Sequence, residues 1–381
     1  GVERCLFGNG KELHFKKLMD FDTIGGKSNK NGARFDLDAM YVNWLGLSLK
    51  CYLPKSENSL SYVWESLKGK ISYCNIKRLM FSSGWRYYAE IVVSGAAPTR
   101  VSIGTSTMGI DPGVSTIAGV SEDACVLEEL APNAIQYEKK IQKISQSMDR
   151  SRRISNPNKY NEDGTINRSN RDPWKYSKNY VKMRRLLKSL YRKKHAYIIN
   201  SHRELCNKLI TIAKYFPVEK MHFQALQKKA KETKRQEKKT EVKQKDGTVK
   251  VIQKYKRKKR FGRSINRRAP ARFLLELKRK AEAVGGVYAE VDTKEFKASQ
   301  YNHVTDTYEK IPLSQREKEI GKRKVQRDLY SAFLIRNADL DFKHPDREKC
   351  EYEFEYFADM QDQLILKMKE SGLSMRQCFG F

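Results

Sequence analysis

MGIDPGVSTIAGVS, residues 108–121, reads as two short apolar strands around a tight turn, with a single carboxylate, Asp111, between them. Pro112-Gly113 supplies the turn, and turn chemistry accounts for Ser115 and Thr116 beside it. An unpaired carboxylate in an apolar setting costs on the order of several kcal/mol, so Asp111 should be holding something. Two other carboxylates sit at comparable places. Glu219 follows a short strand-like run, YFPVEKMHF (215–223), and Asp328 lies on the first turn of a helical run, KVQRDLYSAFLIRN (324–337). They are spaced by 108 and 109 residues, with α and β elements between. Carboxylates gathered at one sheet end repel one another unless a divalent cation bridges them. Mg²⁺ and Mn²⁺ are the hard ions that prefer such oxygens. Two such ions can activate a water and stabilise the departing oxygen of a phosphodiester.

Composition narrows the partner. The 381 residues suffice for two or three domains. Lys and Arg number 76 against 45 Asp and Glu, a formal charge of +31. Such an excess repels itself in a compact state and suits a polyanion. Nucleic acid is the leading reading. An anionic membrane surface is the rival, but neither terminus carries a basic amphipathic helix with a bulky apolar face. The 16 Phe, 20 Tyr and 4 Trp provide core and, in part, stacking surface. No signal peptide is evident, and no apolar run reaches the ~18–20 residues of a membrane span. The longest, VNWLGLSLKCYL (42–53), is broken by Lys50. The expectation is a soluble intracellular protein, cytoplasmic and nucleoid-associated. Seven scattered cysteines (5, 51, 74, 125, 206, 350 and 378) form no CxxC pair, which argues against a disulfide framework and a cysteine zinc site.

Along the chain, residues 1–105 read as β-rich and barrel-like. IKRLMFSSGWRYYAEIVVSG (76–95) is a hairpin signal with a Ser82-Ser83-Gly84 turn. Trp85, Tyr87, Ala89, Ile91 and Val93 alternate on one face. A polar loop (155–173) precedes a helix expected over 174–214, where Met183, Leu186, Leu187, Leu190 and Tyr191 follow helical spacing. Residues 228–268 hold 19 Lys and Arg against 4 Asp and Glu, about half of the total excess. Within them EVKQKDGTVKVIQ (241–253) reads as a hairpin turning at Asp246-Gly247. Lys254, Lys256, Arg257, Lys258, Lys259, Arg260, Arg263, Arg267 and Arg268 are the candidate nucleic-acid contacts. RRAPARFLLELKRKAEAVGG (267–286) predicts a helix with Pro270 in its first turn and an apolar stripe of Phe273, Leu274, Leu277 and Ala281. Gly285-Gly286 ends it, VYAEVD (287–292) is a strand, and EYFADMQDQLILKMKESG (355–372) is a helix in the tail.

GIDPGVST resembles the first phosphate-binding segment of actin-like ATPases and sugar kinases. Gly285-Gly286 would imitate their adenosine-binding pair, but no second phosphate loop is present and no Walker motif either. GIDPGVSTIAGVS (109–121) also resembles the first RuvC motif of TnpB (OrfB) proteins, transposon-encoded nucleases related to type V CRISPR effectors. FPVEKMHF (216–223) resembles the second motif and QRDLYSAFLIRN (326–337) the third, usually close to DRDxNAAxNI. Order and spacing agree, over roughly residues 100–340. The resemblance implies an RNase H-like (RuvC) nuclease domain, α/β or α+β, preceded by a β-rich wedge domain.

It divides the chain into a wedge-like 1–105, a first RuvC part 106–227, the basic insertion 228–268, a second RuvC part 269–340 and a tail 341–381. The family's helical recognition region is not evident, which together with the start at Gly1 reads as an N-terminally incomplete chain. Asp111, Glu219 and Asp328 take the positions of the metal ligands and catalytic carboxylates, implying two Mg²⁺ ions, with Mn²⁺ possible. The implied activity is endonucleolytic cleavage of double-stranded DNA found by a guide RNA, base pairing reading most of the sequence. Phosphate neutralisation by the basic surface would make binding salt-dependent.

Two positions depart from the family. Its zinc ribbon falls in 297–325, KASQYNHVTDTYEKIPLSQREKEIGKRKV, where no cysteine remains. His303 alone makes no four-ligand site, so no zinc is expected and the segment should fold by packing or stay mobile. Gln326 stands where the family usually has Asp. His195, His202 and His344 read as core or surface residues. His222, three residues after Glu219, is a candidate substrate contact. No Ser-His-Asp or Cys-His arrangement is readable. Two other functions stay open: a guide-dependent DNA-binding repressor that does not cut, and a structural DNA-bridging protein without a guide. Three retained carboxylates favour cutting.

Overall fold

The computed structural model describes residues 21–162, 164–227, 235–243, 248–255, 261–312 and 314–373. Its contacts divide the chain into two compact units. Described residues up to Arg100 join Tyr137–Lys194 in the first; Val101–Gln136 and described residues from His195 onward form the second. The segment 106–227 thus contributes to both.

In the first unit, β1 (Thr23–Gly25), β5 (Ile71–Phe81) and β6 (Gly84–Val93) form one three-stranded sheet. A second contains β2 (Arg34–Asp36), β3 (Tyr41–Trp44) and β4 (Leu47–Lys50). Both are antiparallel and open, so among the described residues the expected barrel-like wedge is corrected to two small sheets. Hydrogen bonding ends at β1 and β6 on one sheet and at β2 and β4 on the other, and among the described residues no strand pair closes them. Helix α1 (Glu57–Leu67) adds Leu67 to a core of Phe35, Val42 and Cys74, with Ile91 and Val93 packed alongside.

The β5–β6 hairpin closes with Phe81 opposite Gly84, as its turn signal required. Its alternation describes burial only near the base. Toward the tip, Tyr87 is 68% and Tyr88 42% exposed. There cations replace apolar packing: Arg78 lies 4.4 Å and Lys188 5.3 Å from the Trp85 ring, and Arg192 3.7 Å and Arg86 4.5 Å from Phe81. Cation–π attraction lets aromatic residues stand at a wet surface.

Helices α2 (Ala134–Ser155) and α3 (Lys178–Ile212) bracket the polar loop. The loop is ordered around Trp174, whose ring has the Arg152 guanidinium and the Lys159 ammonium each at 5.3 Å and Tyr160 edge-on at 6.0 Å. Lys159 is buried and donates to the Asn170 carbonyl at 2.9 Å. The helix expected from 174 therefore starts later. Asn156 Oδ1 fixes Lys175 N at 2.7 Å, and Ser177 Oγ accepts from Tyr180 N at 3.1 Å at the helix start.

The second unit is built on one mixed sheet. It uses β7 (Ser106–Thr107), β8 (Gly109–Pro112), β9 (Thr116–Val120), β10 (Cys125–Glu129), β11 (Ala213–Glu219) and, further on, β14 (Val287–Val291). The order is β10-β9-β8-β11-β14, with β7 also on β11. The β8–β9–β10 meander is antiparallel, while β11 runs parallel to β8 and β14. Between β11 and β14 come β12 (Arg235–Lys243) and β13 (Val249–Tyr255), a hairpin of their own, with helices α4 (Phe223–Gln227), α5 (Gly262–Arg268) and α6 (Pro270–Ala283). The Asp246-Gly247 turn lies outside the described residues, but Lys243 pairs with Val249 across it.

Both faces of the sheet are covered, which is why 108–121 is apolar on alternate and adjacent positions alike. Met108, Ile110, Ile117, Phe216 and Val218 pack with Leu209 of α3 and with Phe273 and Leu277 of α6. Ala118, Val120, Leu127 and Val291 pack on the other face with Phe333 and Leu334 of α8 (Arg327–Arg336) and Phe357 of α9 (Arg347–Glu370). Helix α7 (Thr293–Phe296) follows β14.

The described residues of 297–325 fold by packing. Two hairpins, β15 (Tyr301–Asn302) with β16 (Thr307–Tyr308) and β17 (Glu317–Ile320) with β18 (Arg323–Gln326), enclose Tyr301, Ile320 and Val325. His303 is buried, its Nδ1 2.8 Å from the Tyr330 hydroxyl and its ring 4.7 Å from Phe354. Lys318 is buried too, donating to the Tyr301 carbonyl at 2.7 Å, and burial pushes its ammonium down to about 8. His202 on α3 sits edge-on to Phe273 at 5.7 Å.

Burial pushes the imidazoles of His202 and His303 down to about 4 from 6.5. The unfolded chain therefore takes up protons below pH 6.5 that the fold refuses, and stability falls as pH drops from 6.5 toward 4. Each should remove about 2–3 kcal/mol by pH 4.5. Urea midpoints at pH 7 and 4.5 check this: His202→Leu should flatten the acid slope, and an unchanged slope would refute the assignment. No helix among the described residues is long and apolar enough to cross a membrane.

Candidate active site

The three carboxylates come from a strand hairpin, a strand end and a helix start, all in the second unit. β8 and β11 are paired in register at Ile110 and Val218, so Asp111 and Glu219 are the next residues on neighbouring parallel strands. Asp328 arrives on the first turn of α8. That helix lies on β8 because Gly109 has no side chain: a Cβ there would stand 2.1 Å from the Ala332 carbonyl oxygen. Gln326 caps α8. Its Oε1 accepts from Leu329 N at 2.7 Å, and its own backbone N–H donates to Gln361 Oε1 at 2.7 Å.

Asp111 and Glu219 have their carboxyl groups within hydrogen-bonding reach of one another. Burial, then the charges of Glu219 and Asp328, push the Asp111 carboxyl well above the usual carboxylate range. Burial and the Asp328 charge likewise raise Glu219, partly offset by Asp111 and Thr293 beside it. The single proton of the Thr293 hydroxyl goes to the Lys220 carbonyl at 2.6 Å, at the end of β11, beside the Glu219 carboxylate. The pair therefore resists carrying two negative charges, the Arg327 guanidinium offsetting this only in part. That donor set fits a hard divalent cation.

Asp328 is differently engaged. Its Oδ1 accepts from Arg327 Nη2 at 3.1 Å and Nε at 3.3 Å. Its Oδ2 lies 3.4 Å from both Arg316 Nη1 and Gln326 Nε2. Among the described residues no three His, Cys, Asp or Glu side chains are grouped to hold a metal ion. The structure brings the three carboxylates into one another's field, and it places arginines on the third.

Of the basic candidates, Lys256, Arg257, Lys258, Lys259 and Arg260 lie outside the described residues, as does the side chain of Lys254 on β13. Arg263 is exposed on α5. Arg267 is half-buried on the same helix. Arg268 is turned inward, paired with Glu129 of β10 and 3.3 Å from Ser264 Oγ. Ser264 in turn meets Ser115 Oγ at 2.6 Å, tying α5 to the turn after Asp111. His222 is exposed, and its carbonyl accepts from Ala225 N at 3.0 Å to start α4.

Arg327, Arg316, Thr293 and Ser264 were not singled out by the sequence. Only Arg327, next to Asp328, carried a local signal.

No protein-family model matches the chain, and no curated protein matches it. Among solved structures it is similar at low identity to Cas12f chains. One is Cas12f1 in a cryo-EM complex with sgRNA and target DNA: 12% identity, TM-score 0.44, covering 74% of this chain and 48% of that one. Another is a CRISPR–Cas12f ternary complex, with 14% identity, TM-score 0.33 and coverage of 83% and 51%. The chain spans about half the length of these Cas12f chains.

Proposed function

We propose that the protein is an RNA-guided DNA endonuclease of the TnpB type, cutting with a RuvC site formed by Asp111, Glu219 and Asp328. The observation that carries the reading is that Asp111 and Glu219, more than a hundred residues apart in sequence, stand side by side at the ends of neighbouring parallel strands, with the charge of Asp328 in reach of both. Both carboxyls of this half-buried pair are raised above the usual carboxylate range, and a bound cation would relieve their repulsion. Asp111, Glu219 and Asp328 would hold the Mg²⁺ or Mn²⁺ ions, which when bound supply an activated water and stabilise charge on the departing oxygen. The Thr293 hydroxyl lies beside the Glu219 carboxylate. Charge of +31 supports guide RNA and double-stranded DNA as partners.

A guide-dependent DNA-binding protein that does not cut is the second reading. The arginines on Asp328 favour it, because they occupy the oxygens a metal needs.

The test is to sequence the RNA that copurifies and to offer a matched DNA target with Mg²⁺. Cutting that needs both RNA and Mg²⁺, and that Asp111→Ala abolishes while RNA is still bound, is the expected result. A discrete bound RNA with no cutting selects the second reading, and equal cutting by Asp111→Ala sinks the first.

A further inference from the structure

The arginines around Asp328 form a connected device. Arg327 is buried and reaches three ways: two of its nitrogens hold Asp328 Oδ1, and Nη1 donates to the Gln315 carbonyl at 3.2 Å. Its backbone N–H donates to the Arg316 carbonyl at 2.8 Å. One residue therefore fixes both the carboxylate and the backbone that presents Arg316. Arg316 then places its Nη1 3.4 Å from the other oxygen of Asp328. The two members differ in exposure. Arg327 is enclosed, whereas the Arg316 side chain is 46% exposed.

Guanidinium and divalent cation compete for the same oxygens. Asp328 is close enough to raise the pair Asp111 and Glu219, yet both its oxygens are donated to from elsewhere. A half-exposed arginine is also the group best shaped to exchange a carboxylate for a phosphodiester, since both accept its planar fork.

We propose that Arg316 and Arg327 are positioning residues that latch Asp328 away from the cation site until a nucleic-acid phosphate takes Arg316. The third ligand is then released where the substrate lies, and the free protein is kept from binding metal productively. The inference rests on the proposed site and adds to it a substrate-dependent assembly step.

The experiment measures Mn²⁺ binding to the full chain by electron paramagnetic resonance, without any cleavage readout. Arg316→Gln and Arg327→Gln should each bind Mn²⁺ about tenfold more tightly than wild type, the equilibrium equivalent of one charge-assisted hydrogen bond removed from the competitor. Adding single-stranded DNA, with its own Mn²⁺ binding subtracted, should tighten wild type toward Arg316→Gln and change that variant little. A purely structural arginine would give the opposite sign, weaker binding on its loss. Should the buried Arg327 prove necessary for folding, the exposed Arg316 carries the test alone. Unchanged or weaker binding by Arg316→Gln overturns the latch; if that binding is still abolished by Asp111→Asn, the metal site stands without it. Absence of a site sensitive to Asp111→Asn in every protein, with and without DNA, overturns both.

Discussion

Gly109→Val should leave the second unit without a stable fold at ordinary temperature. The added Cβ would sit 2.1 Å from the Ala332 carbonyl oxygen, 2.4 Å from Arg336 N and 2.9 Å from Arg336 Cα. All three are backbone atoms of α8, so no side chain can turn aside. Nor has the helix room to retreat. Leu329 through Arg336 are all buried, and Phe333 is stacked at 4.6 Å on Phe357 of α9 behind it. Overpacking that side chains absorb costs about 1–3 kcal/mol. One that must move a buried helix belongs with the rare losses above about 4 kcal/mol, in a unit whose whole stability is about 5–15 kcal/mol. Gly109→Ala should act in the same direction and less. Gly285→Ala is the control: its φ of +80° strains a side chain, but nothing lies within 4 Å, and about 1 kcal/mol should be lost. Denaturant midpoints followed by circular dichroism check the ranking, and a Gly109→Val midpoint near wild type would refute it.

The same glycine shows what could be read before the fold was known. The strands around Asp111, the strand before Glu219 and the helix from Pro270 were readable because each is decided locally, by alternation, a Pro-Gly turn or a capped apolar stripe. Pro270 does open α6, and Phe273, Leu277 and Ala281 are its buried positions. The close approach at Gly109 was not readable, since it depends on a helix more than two hundred residues away. The hairpin tip misled for a related reason. Alternation at Trp85 and Tyr87 signals a face, but what covers it is charge: cations stand over Trp85, and Tyr87 is left exposed. At the candidate site the carboxylates announced themselves as charges in apolar runs. Their partners did not. In a chain with 76 Lys and Arg, nothing marks Arg316 until the fold sets it on Asp328, and only its place beside Asp328 marks Arg327. Arg336 is the same lesson in the core: it is buried with its guanidinium on the Ser121 carbonyl and Glu353, in a helix that sequence alone paints as apolar.

Asp111→Asn should abolish cutting and yet make the metal-free protein more stable at pH 7. The wild-type carboxyl is raised by burial and by Glu219 and Asp328, so the folded state holds its proton more tightly than the unfolded chain, whose value is about 3.8. The stabilising contribution of such a group is complete below the unfolded value. It is lost as pH rises through the raised folded value, because the fold must then either keep a proton against solution or bury a second charge beside Glu219. Asparagine keeps a donor for Glu219 and never ionises. A gain of about 1–2 kcal/mol at pH 7 is expected, the usual exchange of stability for function at a charged site, and it should shrink toward acid pH as Asp111 itself protonates. Mg²⁺ should reverse the order. Saturating cation stabilises only the chain that binds it, so wild type should gain on Mg²⁺ addition and Asp111→Asn should not. Urea midpoints in chelator and in Mg²⁺, at pH 7 and pH 4, separate these effects. A variant less stable than wild type in chelator at pH 7 would mean that Asp111 is held by its surroundings as an ordinary buried carboxylate, with no place in them for a cation.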